Sequence, residues 1–61
     1  MIAVGSKVKL KEDNTWLAKN YNLTIGKEYE VTQVYKYWDS VTIVNNKGNN
    51  ATLSVERFYL S

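Results

Sequence analysis

The chain has 61 residues, eight Lys and Arg against six Asp and Glu for a net charge of +2, and three Gly, with no Cys, His or Pro. One domain is all that this length builds, and it buries only about 60% of the surface its unfolded chain exposes. The missing side chains exclude a disulfide framework, a thiolate or imidazole zinc site and an imidazole base, while +2 is too mild to be a nucleic-acid signature by itself. Seven Val, three Ile and five Thr, together with eight aromatics, weight the chain toward residues that suit a pleated, half-buried surface. The fold class expected is all-β.

In chain order, Lys7-Val8-Lys9-Leu10-Lys11 alternates, which sets Val8 and Leu10 on one face and three lysines on the other. This is a half-buried strand, with Ile2 and Val4 as its lead-in across Gly5. Glu12 to Asn22 breaks the alternation, as either a turn of helix or an irregular excursion. Asp13 or Asn14 is placed to cap a turn of helix there and Asn20 or Asn22 to end it. Leu23 to Lys27 is a tight entry into the next strand, with Gly26 free to take a positive φ. From Glu28 to Tyr37 runs the longest strand signal; Tyr29 and Val31 share a face but Val34 falls on the other, so either a bulge resets the register or both faces are partly covered. Trp38-Asp39-Ser40 connects to a β-branched run, Val41 to Val44, suited to a central strand. Asn45 to Asn50 reads as the turn of a hairpin. Ala51, Leu53 and Val55 then face inward, with Thr52 and Ser54 outward. After a break at Glu56-Arg57, Phe58-Tyr59-Leu60 closes the chain with Phe58 and Leu60 on one side. Five short strands in a chain this small are expected to close into a barrel, which removes exposed edges.

The run Leu23-Thr24-Ile25-Gly26-Lys27-Glu28-Tyr29-Glu30-Val31 resembles the L-T-x-G-K-x-Y-x-V entry of very small SH3-like proteins. Val41 to Gly48, followed by Val55-Glu56-Arg57-Phe58, is similar to the V-N-D-x-G and x-E-R-F tail of the same group, which is frequent in phages and prophages of Gram-positive bacteria. The resemblance spans Lys7 to Leu60. It implies one five-stranded SH3-like barrel over residues 1–61, with a long first loop and a short 3-10 turn before the last strand. Eukaryotic SH3 domains that bind proline-rich peptides carry an Ala-Leu-Tyr-Asp-Tyr stretch, a Trp pair and a Pro-Tyr that this chain lacks.

Chemistry for catalysis is scarce. Glu28 and Glu30 share a strand face, the spacing of a catalytic or metal-binding carboxylate pair, but exposed charge is the default for such residues. Glu12 and Asp13 read as loop or helix-start charges. The three glycines, at 5, 26 and 48, make no phosphate loop. No enzyme activity, cofactor or metal is therefore expected. The Asn-x-Thr sequons at Asn22 and Asn50 are what seven asparagines give by chance. No apolar stretch is long enough to span a bilayer, and Met1 to Gly5 is too short for a signal-peptide core, so a cytoplasmic protein is expected.

The aromatics carry the functional expectation. Trp16, Tyr21, Tyr35, Tyr37, Trp38 and Tyr59 are candidates for a partner-binding surface, because Trp and Tyr combine large contact area with a polar tip. In an SH3-like barrel the three regions holding them converge on one side. The expected role is a non-catalytic module that binds a host or viral protein, as a monomer or weak homodimer. The alternative is a nucleic-acid-binding barrel that uses Lys7, Lys9, Lys11 and Lys36 beside the same rings. The bland reading of the lysines is protection of an edge strand and solubility.

Overall fold

The computed structural model describes residues 2–61. Strands β1 (Lys7–Leu10), β2 (Glu28–Tyr35), β3 (Ser40–Val44), β4 (Asn50–Ser54) and β5 (Phe58–Leu60) form one antiparallel sheet in the order β4-β3-β2-β1-β5. A helix, α1 (Thr15–Tyr21), lies in the first connection, and 3-10 turns at Lys36–Trp38 and Val55–Arg57 precede β3 and β5. The fold is mostly β, as composition requires.

Chain length dictates the curvature of this sheet. Flat, its edge strands β4 and β5 would stand about 19 Å apart, four spacings of roughly 4.8 Å. Only Val55, Glu56 and Arg57 separate Ser54 from Phe58, and four residue steps reach at most about 14 Å even when fully extended. The sheet therefore curls until both edges meet the second 3-10 turn. That turn is pinned at both ends, by Val55 N–H on the Asp39 carbonyl (2.8 Å) and by Lys11 N–H on the Arg57 carbonyl (2.9 Å). The expected closure does not follow: β4 and β5 are joined by chain, not paired by hydrogen bonds, and remain the two edges. The edge-protection reading of the lysines falls too, since β1 lies between β2 and β5.

Val8, Leu10, Val31, Val41 and Ile43 are fully buried and, with Leu23, Tyr29, Ala51, Leu53 and Phe58, make the core. The β2 pattern is resolved by a bulge. Val31 pairs with Ile43 but Gln33 pairs with Thr42, so Thr32 is the extra residue and Val34 swings back to pack on the core. Leu60 shares a face with Phe58 but sits at the end of the sheet and stays exposed. The lead-in to β1 is a turn, with Gly5 at φ 92° and Ser6 N–H on the Ala3 carbonyl, which leaves Val4 out in solvent.

Two asparagines knit the connections to the sheet. The helix runs to seven residues, about two turns, rather than the single expected turn. Asn22 ends it at φ 58°, its N–H on the Ala18 carbonyl. Asn14 stands at the N-cap, yet its side chain caps nothing; buried, it accepts from Arg57 Nη1 (3.2 Å) and turns its amide toward Asp13 Oδ1. Asn46 joins the β3–β4 hairpin to the loop before β2. Its Oδ1 accepts from Tyr29 Oη and Lys27 Nζ (2.9 Å each), and its Nδ2 donates to Thr24 Oγ1 (2.9 Å). Tyr29 Oη in turn accepts from Thr24 N–H (2.7 Å). The short motif from Leu23 to Val31 is thus consumed by internal bonds.

Candidate functional site

The corner between β2 and β3 displays aromatics. β2 ends at Tyr35, the 3-10 turn follows at once, and Asp39 reverses the chain in the left-handed region (φ 53°). Ser40 Oγ donates to the Trp38 carbonyl (3.0 Å), and the Val55–Asp39 bond clamps the corner from the other side. A backbone so tightly held pushes two rings outward: Tyr37 is 91% exposed and Trp38 71%. Their centroids lie 5.4 Å apart at 66°, an edge-to-face pair. Tyr35, whose hydroxyl donates to Gln33 Oε1, stands between two clefts of about 350 Å³ each. One is lined by Ile2, Val34, Val55, Lys36 and Asp39, the other by Trp38 and Thr52, and both by Tyr35 and Ser40. The corner thus joins an apolar floor, one charge of each sign and flanking rings.

The other candidate rings lie elsewhere. Tyr21 ends α1, where its carbonyl accepts from Asn45 Nδ2 (2.8 Å), against the hairpin turn at the far end of β3 from Ser40. Four strand steps, about 14 Å, part those two ends. Tyr59 belongs to the outer face of β1 and β5, where its hydroxyl donates to Glu12 Oε2 (2.8 Å) and Lys11 Nζ lies 5.5 Å from its ring centroid. Glu12 is held below the ordinary carboxylate range, first by a hydrogen bond involving its own backbone and then by the Tyr59 hydroxyl; that same carboxylate pushes the Tyr59 phenol up. Trp16 is 70% exposed on α1 and forms no ring pair among the described residues. Of the six candidates, Tyr35, Tyr37 and Trp38 come together.

The lysines are divided as well. Lys7 pairs with Glu30 at 3.0 Å, and Lys9 lies opposite Glu28 in the β1–β2 register. The stripe is thus interleaved with carboxylates, and Lys36 stands apart from it on the aromatic corner. Glu28 and Glu30 share the expected face, Glu28 accepting from Ser61 Oγ. No cluster of three or more His, Cys, Asp or Glu side chains placed to hold a metal ion occurs among the described residues, and no helix there is long and apolar enough to cross a membrane.

Of two further features, one escapes a reading by local pattern and one does not. Asn14 and Arg57 are 43 residues apart, so nothing local marks their bond. The other feature does leave a signal: from Ser40 to Val55 the chain carries one charge, Lys47. Its outer face instead holds Ser40, Thr42, Thr52 and Ser54, with Thr42 Oγ1 and Thr52 Oγ1 bonded at 2.6 Å. Comparison of the chain with protein-family models, with curated proteins and with solved structures finds no match.

Proposed function

We propose that this chain is a non-catalytic binding module of SH3-like type that docks a host or viral protein on the Tyr35–Tyr37–Trp38 corner. The observation that carries the reading is the exposed edge-to-face pair of Tyr37 and Trp38 beside an apolar cleft. Two large rings in water are costly unless a partner covers them, and such rings dominate interface energetics. The strand order, the 3-10 turn before β5 and the bulged β2 shared by both halves of the sheet support the SH3-like assignment. A phage or prophage accessory role in the host cytoplasm follows from the resemblance.

The nucleic-acid reading draws on Lys36 beside the same rings, but the β1 lysines face glutamates and add little net attraction. The test is a comparison of proteins recovered from host extract by wild type, by Tyr37→Ala with Trp38→Ala, and by Trp16→Ala. The reading expects the double variant to lose a partner that both other chains retain at high salt. Equal recovery by all three chains overturns it. Quenching of Trp fluorescence by oligonucleotides that fades steeply with salt would move the assignment to nucleic acid.

A further inference from the structure

We infer that β4 pairs with the β4 of a second copy of this chain across a two-fold axis at Thr52. The inference is independent of what docks on the aromatic corner. Asn45 N–H donates to the Asn49 carbonyl, and ladder alternation makes Ile43–Ala51 and Val41–Leu53 the exchanging pairs with β3. The N–H and C=O groups of Asn50, Thr52 and Ser54 therefore point away from β3, and none of them has a backbone partner among the described residues.

These three residues fit a symmetric partner. An antiparallel copy centred on Thr52 sets Asn50 against the partner's Ser54 and Thr52 against its own counterpart. Every outward group then lies in exchanging register. No charge on β4 opposes self-pairing. A two-fold interface brings each residue against its own kind or its mirror position, where like charges repel. β4 carries no charge, no proline and no bulge, the usual guards of a free edge. By contrast the other edge, β5, has only three residues. Thr52 also lines the cleft below Trp38, so pairing sets the two clefts side by side on one continuous outer face.

Sedimentation equilibrium from micromolar to millimolar concentration tests this. Wild type is expected to be a reversible dimer. The Asn50→Lys/Ser54→Lys chain and the Asn50→Glu/Ser54→Glu chain each set like charges opposite, and each is expected to dimerise about tenfold more weakly or not at all. Their equimolar mixture should restore the dimer, because Lys then faces Glu at both positions. Neither Asn50 nor Ser54 takes part in the side-chain bonds of the β3–β4 pair among the described residues, and circular dichroism is the check that each variant is folded. A wild type that stays monomeric throughout, a Lys variant that dimerises like wild type, or a mixture that does not recover overturns the proposal. Pairing of the wild-type edge with an extended segment of another protein, and never with itself, does so equally.

Discussion

The two halves of the curled sheet cover one core with different outer chemistry. Over β1 and the start of β2 the outward side chains are Lys7, Lys9, Glu28 and Glu30, alternating in sign across the register. Over the end of β2, β3 and β4 that face carries Gln33, Tyr35, Ser40, Thr42, Val44, Asn50, Thr52 and Ser54, with no charge among them and Thr42 buried. Salt and water already satisfy the first surface. The second is neutral: Thr42 and Thr52 bond each other, Ser40 bonds the Trp38 carbonyl, β4 is an unpaired edge, and the rings of Tyr37 and Trp38 stand exposed at its corner. The binding surface proposed above lies on the β2–β3–β4 half.

The largest effects come from beneath both halves. Leu10 lies under the charged half and Ile43 under the neutral one, and both are fully buried. Leu10→Ala and Ile43→Ala should each cost about 2–5 kcal/mol in urea unfolding. In a domain of this size that leaves little stability, and both halves should be lost in one transition. Separate transitions for the two halves would break the idea of a shared core.

Next come two polar fasteners, one at the start of β2 and one on the neutral half. Tyr29→Phe removes the hydroxyl that accepts from Thr24 N–H and donates to Asn46 Oδ1, and should cost about 1–3 kcal/mol. Thr42→Val keeps the buried shape but removes the bond to Thr52 Oγ1, for about 0.5–1.5 kcal/mol. Lys7 and Glu30 on the charged half are each more than half exposed, so a double-mutant cycle should find below about 1 kcal/mol of coupling, fading as salt rises. If the surface pair outweighs Thr42, the ranking of the halves is reversed.

How much of this is legible in the sequence follows from how local each feature is. The alternation of β1, the β-branched β3 and the Asn-rich hairpin are local patterns, and they stand where the spacing sets them. Val34 signals a register break, and the bulge at Thr32 supplies it. That β1 is interior and that β4 and β5 stay apart depend on long-range pairing, which no window of residues encodes. At the candidate site, Tyr37 and Trp38 stand out because charged Lys36 and Asp39 bracket them in sequence. Tyr59 and Tyr21 look equivalent to them, but a carboxylate 47 residues away and a hairpin 24 residues away occupy their surroundings.

The smallest expected effect isolates one contact of the charged half. Glu12 is held below the ordinary carboxylate range in the folded chain, so its contribution is fully present above that range and is lost as pH falls through its folded value. The Tyr59 phenol is raised, so its contribution is present below the ordinary phenol range and is lost as pH rises through its folded value. The pair therefore supports the fold between those limits. Tyr59→Phe removes the phenol but keeps the hydrogen bond involving the Glu12 backbone, the larger cause of the depression. An NMR titration of the Glu12 carboxyl should show its midpoint rising part of the way toward the ordinary value in that variant. A midpoint that does not move means that the Tyr59 hydroxyl spends its time on water, and its ring then rejoins Tyr37 and Trp38 as a free surface group.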